Sequence, residues 1–333
     1  VLRYRSQLKT FVGTFMRPWC ETASETGGLI YTTWNTTRVD RGDGMAGART
    51  GRASSTPNFQ NIPKKTEPLF HHEKAGLPRA PIELLPLPQV RSYIVPLYQG
   101  HVLIDRDYSQ QELRILGHFE GAVLMKAYLA NPWLDVHDHA RTLINQMLQA
   151  NLDRKPIKNT GFGLIYGMGL GLLAAKSKTT VEMAKRIRGA YLAIFPGLKA
   201  MYADMKARAA ANKPIRTWGG REYYCEAPKL VNGQMRRFDY KLLNVLVQGS
   251  AADCTKDAII RYHEAKPRHH RLLMSVHDEL LSSVPREERD EGMELLRWCM
   301  ETIQFDVPML SEGSWSPTDW AHLKDYDVKG VRV

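Results

Sequence analysis

Along the chain, stretches with a helical period of about 3.6 are interspersed with short uninterrupted apolar runs, and no repeat is visible. Leu2, Arg5, Lys9 and Val12 keep the helical spacing, and Pro18 is expected to stop that run. TGGLIYTTWNTTRV, from residue 26, reads as strand and turn. Residues 41–63, rich in Gly, Arg, Ser and Asn, should be extended or looped. Residues 64–90 hold five prolines and the pair His71-His72, and predict a surface insertion with little regular structure. HVLIDRDYS, 101–109, reads as a buried strand ending in polar residues, and QQELRILGHF follows with a helical stripe.

Asp135 can cap a helix through HDHARTLINQML, and Asp153 the next, with Pro156 tolerated in its first turn. Thr179 and Glu182 give a capping-box signature. Pro196 opens a helix that Lys213-Pro214 ends, and IRTWGGREYY predicts a hairpin. A long helix is expected over roughly 238–263. LLMSVHDELLSSV then predicts two strands around a polar tip, and Pro285 opens a last helix. The order is mixed α/β without regular βαβ alternation.

With 333 residues, the chain can hold two or three domains. Its net charge of +11, from 46 Lys+Arg against 35 Asp+Glu, favours a polyanionic partner, most simply nucleic acid. Cys20, Cys225, Cys254 and Cys299 lie far apart and form no C-x-x-C pair, which argues against structural zinc and for scattered thiols in a reducing compartment. No apolar window is long enough for a membrane span, so no membrane partner is expected. The start, VLRYRSQLKTFVG, is not a signal peptide, and its first residue, Val, suggests a fragment or processed product.

The sharpest chemistry lies in D-R-D-Y-S at 105–109 and V-H-D-E-L at 276–280. Each sets acids at the end of an apolar strand, where like charges need a cation between them. Mg2+ suits such all-oxygen donors, and two ions about 4 Å apart could serve phosphoryl transfer. Asp105 and Asp107 share one strand face, so either or both could bind metal. An acid at a hairpin tip is also ordinary turn chemistry.

Arg154, Lys158, Phe162 and Tyr166 recur every four residues and share a helix face. The basic end would meet triphosphate oxygens, and the aromatic end a base or sugar. An amphipathic helix with a solvated basic end and a buried aromatic end fits the same spacing. Gly161, Gly163, Gly167 and Gly169 crowd the aromatic half, which is easier to accept if bases approach closely or the end bends. RTGRASSTPNFQN, from residue 49, offers phosphate- and groove-contacting groups, Arg52 among them, though it also reads as a surface loop. Gly249-Ser250-Ala251-Ala252 permits close approach by a neighbouring element or by DNA. His71-His72 and His269-His270 are assigned to exposed loops, because adjacent histidines do not easily converge on one ion.

Taken in order, TGRASSTPNFQNIP, DYSQQELR, RKPIKNTGFGLIYG, VQGSAAD and VHDEL resemble the family A (Pol I-like) DNA polymerases over most of residues 2–315. The resemblance implies an α+β right-hand fold with an antiparallel-sheet palm and helical fingers, the thumb largely absent. Residues 1–12 would end the thumb, 13–118 begin the palm with an insertion near 66–90, 119–236 form the fingers, and 237–333 complete the palm and add a tail.

The implied reaction is template-directed transfer of a deoxynucleotide from dNTP to a primer 3′-hydroxyl, with release of pyrophosphate. The resemblance gives Asp107, Asp278 and the Tyr108 carbonyl as ligands of two Mg2+ ions, with Mn2+ able to substitute. It also makes Lys158 catalytic, helping the leaving group. Gln110, Glu112, His137, Arg154, Lys158, Phe162 and Tyr166 would bind the nucleotide, with Glu112 as a steric gate against ribose. Arg5, Lys9, Arg52, Asn61, Gln248 and His277 would contact primer–template DNA. Phe162, rather than Tyr, implies strong rejection of dideoxynucleotides.

Departures include Gly161, Tyr240, a short turn at 54–56, a long 66–90 segment, an extended tail after Trp315, and Asp105, left to bias metal affinity or face solvent. They suggest a viral source. The expected partners are primer–template DNA, dNTPs, and a thumb on a preceding segment or a separate chain. The expected location is cytoplasmic, in a bacterial host if the source is viral.

Overall fold

A computed structural model describes residues 2–36, 39–41, 44–64 and 85–333. His71-His72 and most of the 66–90 insertion lie outside the described residues.

One antiparallel sheet organises the fold. Its central strand, β5 (His101–Tyr108), lies between β11 (Glu279–Pro285) and β12 (Ser311–Ser316). β10 (Arg271–Val276) flanks β11, and β13 (Lys324–Val328) and β14 (Val331–Arg332) extend the sheet beyond β12. Both faces of β5 are covered, so its apolar residues run continuously instead of alternating with polar ones. Val102 and Ile104 enter the larger core, and Leu103 enters a second core on the other face.

That second core is built on the N-terminal helix. α1 (Leu2–Thr10) runs through a π-helical stretch, Phe11–Met16, into α2 (Arg17–Thr26). The helix therefore passes the expected stop at Pro18 and ends at Gly27 in the left-handed region. Pro18 falls in the first turn after the π-helical stretch, where the missing N–H costs little. Phe11, Phe15 and Trp19, spaced by four, form an aromatic row that stacks on Phe59 and packs with Leu103, Met274 and Leu281. Leu87 and Val90 are buried there too, so the insertion returns into the core at its end.

The short strands β1 (Thr33–Asn35), β2 (Val39–Arg41), β3 (Gly44–Ala46) and β4 (Ser54–Thr56) complete the loop region. Helices α3 (Gln111–Glu120), α4 (Val123–Ala130), α5 (Val136–Leu148), α6 (Arg154–Ile165), α7 (Leu170–Ser177), α8 (Val181–Ile194) and α9 (Pro196–Ala210) follow β5. Asp135 caps α5 as expected, accepting from the His137 and Asp138 N–H groups. Asp153 sits at the N-cap of α6 without a side-chain capping bond. The cap of α8 is Thr180, one residue past the expected Thr179; its hydroxyl accepts from the Met183 N–H.

β6 (Ile215–Arg216) and β7 (Glu222–Tyr223) form the expected hairpin, and β8 (Lys229–Val231) and β9 (Gln234–Arg236) a second one. α10 (Lys241–Ala265) is the long helix. Pro285 ends β11, and a 3-10 turn, Arg286–Glu288, precedes α11 (Arg289–Glu301). Among the described residues, no helix is long and apolar enough to cross a membrane. All four cysteines are free, with Cys20 exposed and Cys254 and Cys299 buried.

Arg106 is fully buried on the α11 side of β5. It donates to Asp327 of β13 at 2.9 and 3.2 Å and to the Ser311 hydroxyl and carbonyl, each at 2.9 Å. The tail is thus bolted to the central strand by an ion pair that burial makes intolerant of losing one partner. Asp327→Ala should lower stability by about 3–5 kcal/mol in denaturant titrations. The apolar pair R106M/D327L should recover much of that loss; no recovery would mean that the pair does not act as a unit.

Candidate active site

The registry of the sheet gathers carboxylates. Asp107 lies opposite Glu279 on one side and opposite Glu312 on the other. Asp105, two residues back, shares that face and lies opposite Leu281 and Ser314. The turn between β10 and β11 has two residues, His277 and Asp278, and His277 takes a left-handed φ of 59°. The Tyr108 N–H donates to the Asp278 carbonyl at 3.3 Å, which ties this turn to the end of β5. Asp107, at the end of β5, and Asp278, in the adjoining turn, therefore stand side by side.

Electrostatics reports their crowding. Surrounding protein, then the charges of Asp278 and Glu279, push Asp107 up to about 8, although its surface remains accessible. Asp278 rises to about 6, chiefly through burial. Asp105 is raised well above the ordinary range by burial and by its hydrogen bond and charge contact with Glu279. It is buried, so the option that it faces solvent is excluded. Its Oδ2 accepts from Ser314 at 3.4 Å, and Glu279 also accepts from the Trp320 indole at 3.0 Å. The Tyr108 side chain turns away, donating its hydroxyl to the Met300 carbonyl at 2.8 Å, so only its backbone is available to a ligand. All-oxygen donors held in mutual repulsion fit a hard divalent cation such as Mg2+.

Beside the acids is a second cluster. Glu112, in the first turn of α3, accepts from the Tyr166 hydroxyl at 2.7 Å, from Arg52, and from the Gln248 amide at 3.5 Å. Four sequence-predicted residues from four segments meet there. Tyr166 caps the C-terminus of α6, and its ring stacks on Phe162 with centroids 5.9 Å apart. Burial and the Glu112 carboxylate push its phenol up to about 12.

Upstream on α6, the Lys158 ammonium lies 5.7 Å from the Phe162 ring centre, and Arg154 pairs with Asp135 at 2.6 Å. His137 packs on Phe162, and burial with the Arg154 charge holds it down to about 4, so it is neutral near pH 7. Gln110, in the left-handed region, commits its side chain to the Leu134 carbonyl at 2.9 Å and its own carbonyl to the Leu113 and Arg114 N–H groups at 3.0 and 3.1 Å. Arg5 and Lys9 are exposed on α1, and the Asn61 side chain is exposed in its loop.

Three of the four glycines in and after α6 face protein: Gly163 faces Leu173 and Met168, Gly161 and Gly167 face tyrosines, and Gly169 alone has open space. A Cβ on Gly161 would meet the Tyr191 hydroxyl at 2.8 Å, and one on Gly167 would meet Tyr240 at 2.4 Å. These two admit neighbouring tyrosines, and Gly167 adds a positive φ that bends the helix end. The small stretch on α10 likewise receives protein: Ser250 accepts from the Trp218 N–H of the β6–β7 hairpin at 2.9 Å. No local pattern signals the tie at Arg221, which donates to Asp253 at 2.7 Å and to the Gly249 carbonyl at 2.9 Å. The exposed-loop assignment of His269-His270 is also wrong in part: His270 is buried, and both rings reach Glu288.

The model of DNA polymerase family A matches residues 1–322. DNA polymerase I of Caldicellulosiruptor bescii is 30% identical over 322 residues, covering 94% of this chain and 34% of that protein. DNA polymerase I of Geobacillus stearothermophilus is 30% identical over 341 residues, covering 99% and 35%. The chain spans about a third of the length of these curated relatives. The solved POL domain of Pol1 from M. smegmatis, in complex with DNA primer-template and dNTP, superposes with a TM-score of 0.72 at 28% identity, covering 96% of this chain and 52% of that one. The expectations of a viral source and of a separate thumb chain find no support in these comparisons.

A raised carboxyl pKa means that the folded state holds protons the unfolded state releases. The stability contributed by those protons is full below about pH 4 and is lost as pH rises through 6 and then 8. Without divalent cation, the melting temperature should therefore fall between about pH 5 and pH 9. Mg2+ should raise it more at the alkaline end, and Asp107→Asn should flatten both trends. Melts with EDTA or Mg2+ test this; a Mg2+ effect independent of pH would contradict it.

Proposed function

Because the chain belongs to DNA polymerase family A, we propose that it carries out template-directed DNA synthesis, transferring a deoxynucleotide from dNTP to a primer 3′-hydroxyl with release of pyrophosphate. The observation that carries the reading is the juxtaposition of Asp107, at the end of β5, and Asp278, in the adjoining β10–β11 turn, beside the Arg52–Glu112–Tyr166 cluster. In this proposal, residues 1–12 end a thumb, 13–118 and 237–333 make the palm, and 119–236 make the fingers.

Asp107, Asp278 and the Tyr108 carbonyl would hold two Mg2+ ions, with Mn2+ able to substitute. When bound, such ions lower the pKa of the attacking hydroxyl and neutralise the leaving pyrophosphate. The protein's share is positioning and charge. Lys158 and Arg154 neutralise the triphosphate, with Lys158 beside the leaving group. Neutral His137 can offer an N–H to a phosphate oxygen without adding charge. Phe162 packs against the nucleotide, and Tyr166 closes its stacking face.

Glu112 is held by Tyr166 and Arg52, so its carboxylate cannot easily withdraw from a ribose 2′-hydroxyl. That rigidity makes it a steric gate. Arg52, Gln248 and His277 line the approach of the primer–template end, Asn61 lies in the loop beyond, and Arg5 and Lys9 meet backbone phosphates as the duplex leaves.

Single-nucleotide extension on a primer–template tests the proposal. Asp107→Asn and Asp278→Asn each remove several kcal/mol of transition-state stabilisation, about a thousandfold or more in rate. Near wild-type rates in both would overturn the assignment. Glu112→Ala should relax discrimination against ribonucleotides while dNTP addition persists. Tyr166→Phe, which removes one of the bonds holding Glu112, should relax it less. Unchanged discrimination in Glu112→Ala would remove the gate.

A further inference from the structure

At the opposite end of the β10–β11 hairpin from Asp278, two imidazoles and a carboxylate converge. His269 Nε2 lies 2.7 Å from Glu288 Oε2, and His270 Nε2 lies 2.8 Å from the same oxygen. The ligand atoms of the three residues all lie within 4.8 Å of one another. Among the described residues, no other group of three or more His, Cys, Asp and Glu side chains has this compactness. We propose that His269, His270 and Glu288 form a binding site for a zinc-class divalent cation, separate from the oxygen-donor pair of the catalytic centre.

The donor set selects the metal. Two imidazole nitrogens and one carboxylate suit Zn2+, whereas Mg2+ prefers oxygen alone. A tetrahedral ion with bonds of about 2.0–2.1 Å needs ligand atoms roughly 3.3 Å apart. The present separations are hydrogen-bonded ones, so a small opening of the three groups admits the ion. Such an opening is feasible because only His270 is locked in place, with 2% exposure, while His269 and Glu288 lie toward solvent. A water can complete the coordination from that open side.

For the ion to bind, the proton that each imidazole Nε2 donates to Glu288 must move to Nδ1. Burial keeps His270 below its ordinary value despite the contact with Glu288, and the two imidazole hydrogen bonds keep Glu288 ionised. His101 packs nearby, but its Nδ1 meets the Ser283 hydroxyl at 3.2 Å, outside the set. The Nδ1 of His270 is buried without a hydrogen-bond partner, so the site lacks one outer support. That lowers the expected affinity by about ten- to a hundredfold and points to micromolar binding. A bound ion would join the root of β10 to the turn before α11.

The test uses the full chain carrying Asp107→Asn and Asp278→Asn, which silences the acid pair. Zn2+ is titrated into it in competition with a chromophoric chelator, and Co2+ serves as the visible-spectrum probe. The expected result is one equivalent bound with a tetrahedral Co2+ spectrum. Adding His269→Ala or Glu288→Gln should then weaken binding by about tenfold or more. Both positions are open to solvent, so neither change threatens the fold. Absence of a stoichiometric equivalent, or equal affinity in the His269→Ala and Glu288→Gln proteins, overturns the proposal.

Discussion

Four carboxylates on one face of three adjacent strands form the constraint on which this structure turns. Asp105, Asp107, Glu279 and Glu312 share that face because antiparallel registry puts residues of the same parity together. Apolar cores fill both sides of the sheet, so water cannot disperse their repulsion freely. The protein resolves part of it internally: Asp105 accepts from the Ser314 hydroxyl, and Glu279 accepts from the Trp320 indole. Asp107 stands at the accessible edge with Asp278 beside it, where the proposed cation would relieve their repulsion.

The rest of the fold keeps that edge in place. The Phe11–Phe15–Trp19 row braces the acid-bearing face through Leu103 and Leu281. Arg106 locks the other face to β13 through Asp327. Tyr108, between them in effect, anchors the strand end with its hydroxyl and leaves its backbone beside the acids. The Glu112 cluster then joins this rigid palm face to α6 through a single phenol, Tyr166. A helix that swings about Gly167 would make or break that bond.

Much of this was legible in the chain. The run ending at Asp107, the two-strand tip at Asp278 and the four-residue spacing of α6 each name their element from periodicity alone, and the ordered motifs named the family. What could not be read was pairwise. Pro18 looked like a stop because a π-helical stretch has no sequence period to announce it. Gly161 and Gly167 looked open to bases because the side chains that fill them, Tyr191 and Tyr240, come from other elements further along the chain. His269 and His270 looked like an exposed loop because Glu288 arrives only through the hairpin's return. In the last two cases the partner that overturned the local reading was non-local.

The central claim is that Asp107 and Asp278 jointly hold divalent cations. Anomalous diffraction from a crystal of the full chain with primer–template, incoming dNTP and Mn2+ tests it most directly. The account predicts two peaks about 4 Å apart, both in contact with Asp107 and Asp278. Manganese confined to the Asp105–Glu279 side, or peaks touching only one of the two aspartates, would contradict it.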